Sequence, residues 1–362
     1  MREIRVCKPG RNEKLAENAV RRLQFNADGT RVLAWVAWEY RYETRRYGAN
    51  TVVRAHDLAT GENRALDEEW AANFAAFQGE PVVSRDSRFV VFEYEDWKHD
   101  EGYAADVVDL TRPQEPGVAL VMGTGMTGGF AFAADGSALY AARNTRNQTD
   151  HTAEVVRTSI QADPPPVRFK TTTNPFTGQP MRVPVQRKYR WSLIATLPRG
   201  EAGTAIALSS DARLAAVGTN GGSLHVVDIK KKRVLFQSKW RGQKVRDRVG
   251  YRVGFHPNGE WVAMLANGRL IVTPLKTGSG KEWQTKTTLG YLHDFAYHPA
   301  GHTLAVPDAE GRARYLDPLT GAVKQEFRWK RGPLYSIAFA PDGLTCAVGA
   351  GGGRVVLWDV DE

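Results

Sequence analysis

Cysteine is nearly absent from this chain of 362 residues. Only Cys7 and Cys346 occur, at opposite ends. A fold stapled by disulfides carries cysteines in even sets at regular spacing, so that framework is excluded and two buried free thiols are expected. Long apolar runs are missing too: no stretch approaches 18 uninterrupted apolar residues, the length needed for a membrane-spanning helix. The first residues, MREIRVCKPGRNEK, contain no apolar segment of the secretory kind. A cytoplasmic location and no membrane partner are therefore expected.

Catalytic signatures are equally scarce. The eight histidines are scattered, with no spacing that brings three or four metal ligands together. His293-Asp294 has no third ligand nearby in sequence, and His256 and His298 lie inside turn motifs that explain them without a ligand role. GSGK at 278–281 mimics part of a phosphate loop, but Glu282 follows Lys281 where serine or threonine is required. G-x-S-x-G does not occur. The expectation is a protein that is not an enzyme and holds no cofactor and no metal.

Present in abundance are glycine, at 35 residues, tryptophan, at 10, and positive charge, with a formal net charge of +9. Frequent glycine turns among aromatic, alternating segments suit an all-β chain. The charge favours acidic partners and raises nucleic acid as an alternative.

The strongest signal is internal repetition. YRVGFHPNGEWVAML begins at Tyr251, LHDFAYHPAGHTLAV at Leu292 and LYSIAFAPDGLTCAV at Leu334. Each reads as a short strand, a tight turn and a second strand. Proline pre-sets φ and glycine accepts positive φ, so HPNG, HPAG and APDG are hairpin turns. The aromatics before the turns, Phe255, Tyr297 and Phe339, are spaced by 42 residues. Earlier copies surround Leu208 with SSDAR, Phe132 with AADG, Asp86 in PVVSRDSRFVVFEY, and Phe25 with NADG, making seven. Third strands follow at 52–61, 105–113, 153–160, 223–232, 269–278, 312–321 and 354–362, and fourth strands after them. Four antiparallel strands about every 40–45 residues predict a single-domain, seven-bladed β-propeller over 1–362.

FAPDG at 339–343 with GGGRVVLWDV at 351–360 resembles the WD40 repeat, and weaker, degenerate forms of a bacterial type extend over nearly the whole chain. The resemblance implies a closed ring and a scaffold that binds proteins or peptides. It also implies closure by an N-terminal strand, here Glu3 to Lys8, completing a last copy that stops after its third strand. Trp-Asp occurs only in the last copy, at Trp358 and Asp359, and the usual Gly-His is displaced. The family's buried Asp-His-Ser-Trp network is therefore not transferred, and apolar packing alone is expected to hold the blades.

Differences between copies point to contact surfaces. Loops after the second and fourth strands share one face, the top. In blades one to three these loops are long: 38–50, 93–104 and 143–153. They and the blade-joining loops place Trp38, Tyr40, Arg41, Tyr42, Tyr47, Tyr94, Trp97, Trp240, Arg241, Trp329 and Arg331 on one rim. Tyrosine, tryptophan and arginine dominate binding hot spots, so a protein or peptide partner, acidic in character, is expected there. Large aromatics also cap blades, and that reading stays open for each residue singly.

The bottom face carries the largest insertion, about 160–189, in blade three. Between Arg143 and Arg190 stand nine basic and three acidic residues. A protruding hairpin, with VRFKTTT and MRVPVQ as strands, is favoured over a solvated loop. Arg168, Lys170, Arg182, Arg187 and Lys188, with Lys230, Lys231 and Lys232 of the next blade, form a candidate polyanion surface and the alternative, nucleic-acid reading. A propeller enzyme with carboxylates around the channel ranks below both. Outside its complex the protein is expected to be monomeric.

Overall fold

A computed structural model describes residues 1–6, 16–42, 45–65, 81–96, 102–112, 118–121, 127–147, 150–160, 169–173, 179–184, 188–239, 252–276, 280–285, 289–329 and 332–360. Seven four-stranded antiparallel sheets follow one another along the chain as the blades of a propeller.

Blade one is formed by Ala16–Phe25, Arg31–Tyr42, Arg45–Asp57 and Asn63–Ala65, and blade two by Val82–Val83, Phe89–Asp96, Gly102–Asp109 and Val118–Val121. Blade three comprises Thr127–Phe132, Ala138–Asn147, Asp150–Ser159 and Ser192–Thr196. Blades four and five are Gly203–Leu208, Leu214–Thr219, Ser223–Asp228, Arg233–Lys239, and Arg252–Phe255, Trp261–Ala266, Arg269–Pro274, Trp283–Gln284. Blade six is Ala296–Tyr297, Leu304–Pro307, Arg312–Leu316 and Val323–Arg328. Blade seven takes three strands from the C-terminus, Leu334–Phe339, Thr345–Ala350 and Arg354–Asp359. Its fourth is N-terminal, Arg2–Arg5, with Arg2 opposite Leu357 and Arg5 opposite Arg354. The expected closure is present, on a strand slightly earlier than the sequence suggested.

The middle strands explain why these segments form blades. Trp261–Ala266 is buried at every position. Side chains alternate sides along a strand. Val262 and Met264 pack with Ala216 and Val226 of blade four, while Trp261, Ala263 and Leu265 pack with Leu304 and Val306 of blade six. Each of the seven seams carries such a cluster. The closing seam joins Ile4, Ala338, Val355 and Leu357 of blade seven to Val20, Val32 and Val36 of blade one.

The turns between first and second strands lock neighbouring blades. Gly259, Gly301, Gly343, Gly29 and Gly136 all adopt positive φ, between 70° and 79°. In the weaker copies the same left-handed position is taken by Ser87 (φ 59°) and Ala212 (φ 52°). The turn histidines reach across the seams: His256 Nε2 lies 2.7 Å from Gly301 O, and His298 Nε2 lies 3.0 Å from Gly343 O.

Polar groups also hold the ring, which corrects the expectation of apolar packing alone. Asp308, fully buried, pairs with Arg314 at 2.8 Å and Arg312 at 2.9 Å, and Arg314 reaches Glu326 at 2.6 Å. Asn144 of blade three donates to Gly203 O and accepts from Gly203 N of blade four. Trp358 Nε1 donates to Tyr315 Oη at 2.9 Å. A carboxylate–guanidinium pair in blade six thus does structural work that the missing Asp-His-Ser-Trp set would do elsewhere.

Candidate interaction surface

The segments read as long top-face loops are largely strand. In blade one the second and third strands run 12 and 13 residues, in blade three 10 and 10, and in blade two 8 and 8. In blades four, five and seven each has 6, and in blade six 4 and 5. The extra residues sit at the top. Backbone pairing continues through Trp38 opposite Asn50, Arg41 opposite Arg46 and Tyr42 opposite Arg45, and in blade three to Asn147 opposite Asp150. At about 3.3 Å per residue, the six residues from 37 to 42 carry the blade-one hairpin about 20 Å past the turn level of blade five. The correction has a physical reason. In WEYRYETRRYGAN the alternation is aromatic against charged, Trp38, Tyr40 and Tyr42 with Glu39 and Arg41 between them, and lacks the aliphatic face that marks the shorter buried strands.

Trp38, Tyr40, Arg41, Tyr42 and Tyr47 therefore lie on the projecting hairpin of blade one, and Tyr94 on the second strand of blade two. Trp97, Trp240, Arg241 and Arg331 fall outside the described residues. Trp329 is half-buried, 4.9 Å from Trp358 and stacked on Phe327 at 5.9 Å, with its Nε1 donating to Met1 Sδ. Its indole is part of the blade six–seven seam.

On the bottom face the insertion forms a hairpin, Phe169–Thr173 paired with Pro180–Pro184, which places Lys170 and Arg182 on its strands. Lys188–Tyr189 then pairs in parallel with Ala119–Leu120, adding a fifth strand to blade two. Arg168 and Arg187 lie outside the described residues. Lys230, Lys231 and Lys232 are exposed on the turn between the third and fourth strands of blade four, with Lys231 3.6 Å from Asp228.

A further cluster, not anticipated, surrounds the top mouth of the central channel, where the inner strands begin. Asp294 is buried, accepts from Ile337 N at 3.1 Å and pairs with Arg252 at 3.5 Å. Burial pushes its carboxyl up to about 6, against the opposing charges of Arg252 and Arg22 and its backbone hydrogen bonds. Arg21 lies over the Tyr335 ring at 4.6 Å, His293 stands 5.1 Å from Tyr335, and Tyr291 5.4 Å from His293. Burial, reinforced by Arg21, lowers the His293 imidazole against the opposing charge of Asp308. The sequence does hold a signal for this cluster. Three positions before the turn residue, the seven copies read Arg22, Glu80, Gly129, Ala205, Arg252, Asp294 and Ser336, so charge replaces small residues in four, with Glu80 outside the described residues. Among the described residues no group of three or more His, Cys, Asp or Glu could hold a metal ion.

Residues 322–359 match the family described as WD domain, G-beta repeat. The matched stretch contains the outer strand of blade six and three strands of blade seven. The β-propeller domain of Myceliophteria thermophila Cps50 (Swd1) superposes with a TM-score of 0.57 over 98% of this chain and 100% of that one, at 13% identity. The fold is that of a WD40 β-propeller. No curated protein matches the chain in sequence. WD40 propellers generally serve as interaction scaffolds, and within this one the projecting hairpins and the charged channel mouth share the top face.

Proposed function

We propose that this WD40 propeller is a binding platform rather than a catalyst, and that it receives a protein or peptide partner on its top face. The observation that carries the reading is the asymmetry of that face. Three adjacent blades lengthen their second-to-third-strand hairpins, while the other four turn at once. Packing does not require the extension, since six-residue strands complete blades four, five and seven. A rigid ring with one raised sector presents variable residues on a fixed frame, at low ordering cost. A cytoplasmic setting and a monomeric state outside the complex belong to the same proposal.

The test shortens the blade-one hairpin to an Asn-Gly turn in place of residues 38–50, which joins the paired Ala37 and Thr51 in register. Proteins co-purifying from the native host are identified by mass spectrometry, and thermal melting is followed in parallel. Loss of a reproducible partner with an unchanged melt supports the reading. Full retention of every partner overturns it.

A second reading has its own observation. The hairpin of Phe169–Thr173 and Pro180–Pro184 forms a separate two-stranded sheet, and the exposed Lys230–Lys232 turn shares its face. Such a basic ribbon would track a phosphate backbone, with affinity falling steeply as salt rises. Absence of binding to DNA and RNA at low salt removes it.

A further inference from the structure

We propose that the lower end of the central channel is a binding site for a small organic carboxylate with an apolar body, of the kind an aromatic acid supplies. The site lies at the opposite end of the channel from the raised hairpins and stands apart from the top-face reading.

A cavity of about 390 Å³ opens there. Phe25 of blade one, Arg85 of blade two, Tyr297 of blade six and Phe339 of blade seven all line it. Blades two and six are not neighbours, so residues from both meet only at the axis of the ring. Pro299 and Pro341, from turns between first and second strands, also line the cavity, which puts its opening on the bottom face. Most of the remaining wall is apolar, formed by Leu23, Ala296, Ile337 and Ala338. A volume of this order, with apolar walls and a few placed polar groups, is what small-molecule sites share.

The polar groups select the charge of the ligand. Arg85 is the one ionised side chain in the lining; it is exposed, and among the described residues it has no hydrogen bond or ion pair. Carboxylates of the neighbouring turns are committed to their own backbones. Asp28 accepts from Thr30 N, Asp86 from Arg88 N and Asp342 from Leu344 N, and none of the three lines the cavity. The backbone adds donors. In an antiparallel pair only alternate residues exchange bonds with the strand opposite. The amides of Asn26, His298 and Ala340 donate to the returning second strands or their turns. Those of Phe25, Tyr297 and Phe339, one residue earlier, therefore turn away from their sheets toward the axis. Ile337, two residues before Phe339 in the same row, already donates its amide to a carboxylate, that of Asp294. A free carboxylate at the lower end meets the same kind of donor, with Arg85 supplying the opposite charge. A cationic ligand would face Arg85, and a neutral one would leave it uncompensated.

The experiment titrates the full chain with 2-naphthoate and with the neutral 2-naphthalenemethanol by isothermal calorimetry. The proteins are the wild type, Arg85→Gln, Ala296→Leu, which narrows the cavity, and Lys230→Gln, which removes an exposed charge elsewhere on the bottom face. The wild type should prefer naphthoate about tenfold, the worth of hydrogen bonds to a charged group. Arg85→Gln should weaken naphthoate about three- to fivefold, as expected for an exposed ion pair, and leave the alcohol unchanged. Lys230→Gln should change neither, and Ala296→Leu should weaken both. Arg85 is exposed and unpaired among the described residues, so its replacement leaves the melt unchanged and decides the matter even if Ala296→Leu melts early. No binding of naphthoate, equal affinity for the two probes, or equal losses in Arg85→Gln and Lys230→Gln overturns the site.

Discussion

Gly301→Ala is expected to break a contact between blades, and Gly259→Ala is its internal control. Both glycines occupy the left-handed position of equivalent turns, at φ +79° and +70°. An alanine at either site carries the same conformational penalty, about 1–2 kcal/mol. At Gly259 a Cβ would meet nothing within 4 Å, so the penalty ends there. At Gly301 a Cβ would lie 2.6 Å from His256 Cε1 and 3.0 Å from Nε2. The imidazole must withdraw. In doing so it gives up its 2.7 Å hydrogen bond with Gly301 O and disturbs its edge contact with Tyr297, whose ring centre is 5.2 Å away. Leaving a buried polar pair unsatisfied costs about 1–3 kcal/mol. Gly301→Ala should therefore destabilise by about 2–5 kcal/mol, against about 1–2 for Gly259→Ala. Urea unfolding followed by tryptophan fluorescence reads both. A double-mutant cycle sharpens the test: His256→Ala should cost much less in the Gly301→Ala background than in the wild type. Equal losses at the two glycines, or additive effects of His256→Ala and Gly301→Ala, would refute the idea that these turns act as locks between blades.

Three further outcomes follow from the same structure. Deleting residues 1–10 removes the buried Ile4 and Val6 and bares the Arg354–Asp359 edge; it should cost at least about 3–6 kcal/mol from side-chain burial alone, and a melt matching the full chain would disprove the closure. Asp308→Ala leaves Arg314, with 3% of its side chain exposed, short of its buried partner; a loss of about 3–5 kcal/mol is expected, and recovery on adding Arg314→Met checks that the stranded charge is the cause. His225 is 1% exposed, and burial lowers its imidazole despite the opposing charge of Glu201, so protons bind the unfolded chain more readily. Stability should therefore rise with pH across the range below about 6.5 and fall on acidification, and His225→Gln should flatten melting curves taken between about pH 5 and 7.

Much of the ring was legible because its information is local. HPNG, HPAG and APDG fix a turn by their own chemistry, and the 42-residue spacing of Phe255, Tyr297 and Phe339 counts the blades. The insertion hairpin was legible for the same reason, with NPFTG between two strand-like segments. Its return through Lys188–Tyr189 to the edge of blade two was not, since two residues carry no period. The raised hairpins read as loops because the period-2 pattern of Trp38, Tyr40 and Tyr42 is aromatic against charged, without the aliphatic face of the other strands. The Asp308–Arg314 pair was missed because an acid and a base six residues apart look like surface until Leu289 O and Glu326 close around the guanidinium. The channel mouth is the extreme case. Arg22 and Asp294 are 272 positions apart in the chain, and only the ring brings blades one, five, six and seven to a common axis.

Seams on both flanks of every sheet have a consequence for how the molecule comes apart. A linear array frays from its ends, where a terminal unit has one apolar neighbour and a polar outer surface. This ring has no terminal unit. Peeling out any one sheet strips two interfaces together, so partial detachment costs nearly twice what it would in an open stack, and neighbours left behind lose cover on one side each. Damage to a single interface is then spread around the circle, and the protein should yield as a whole or not at all.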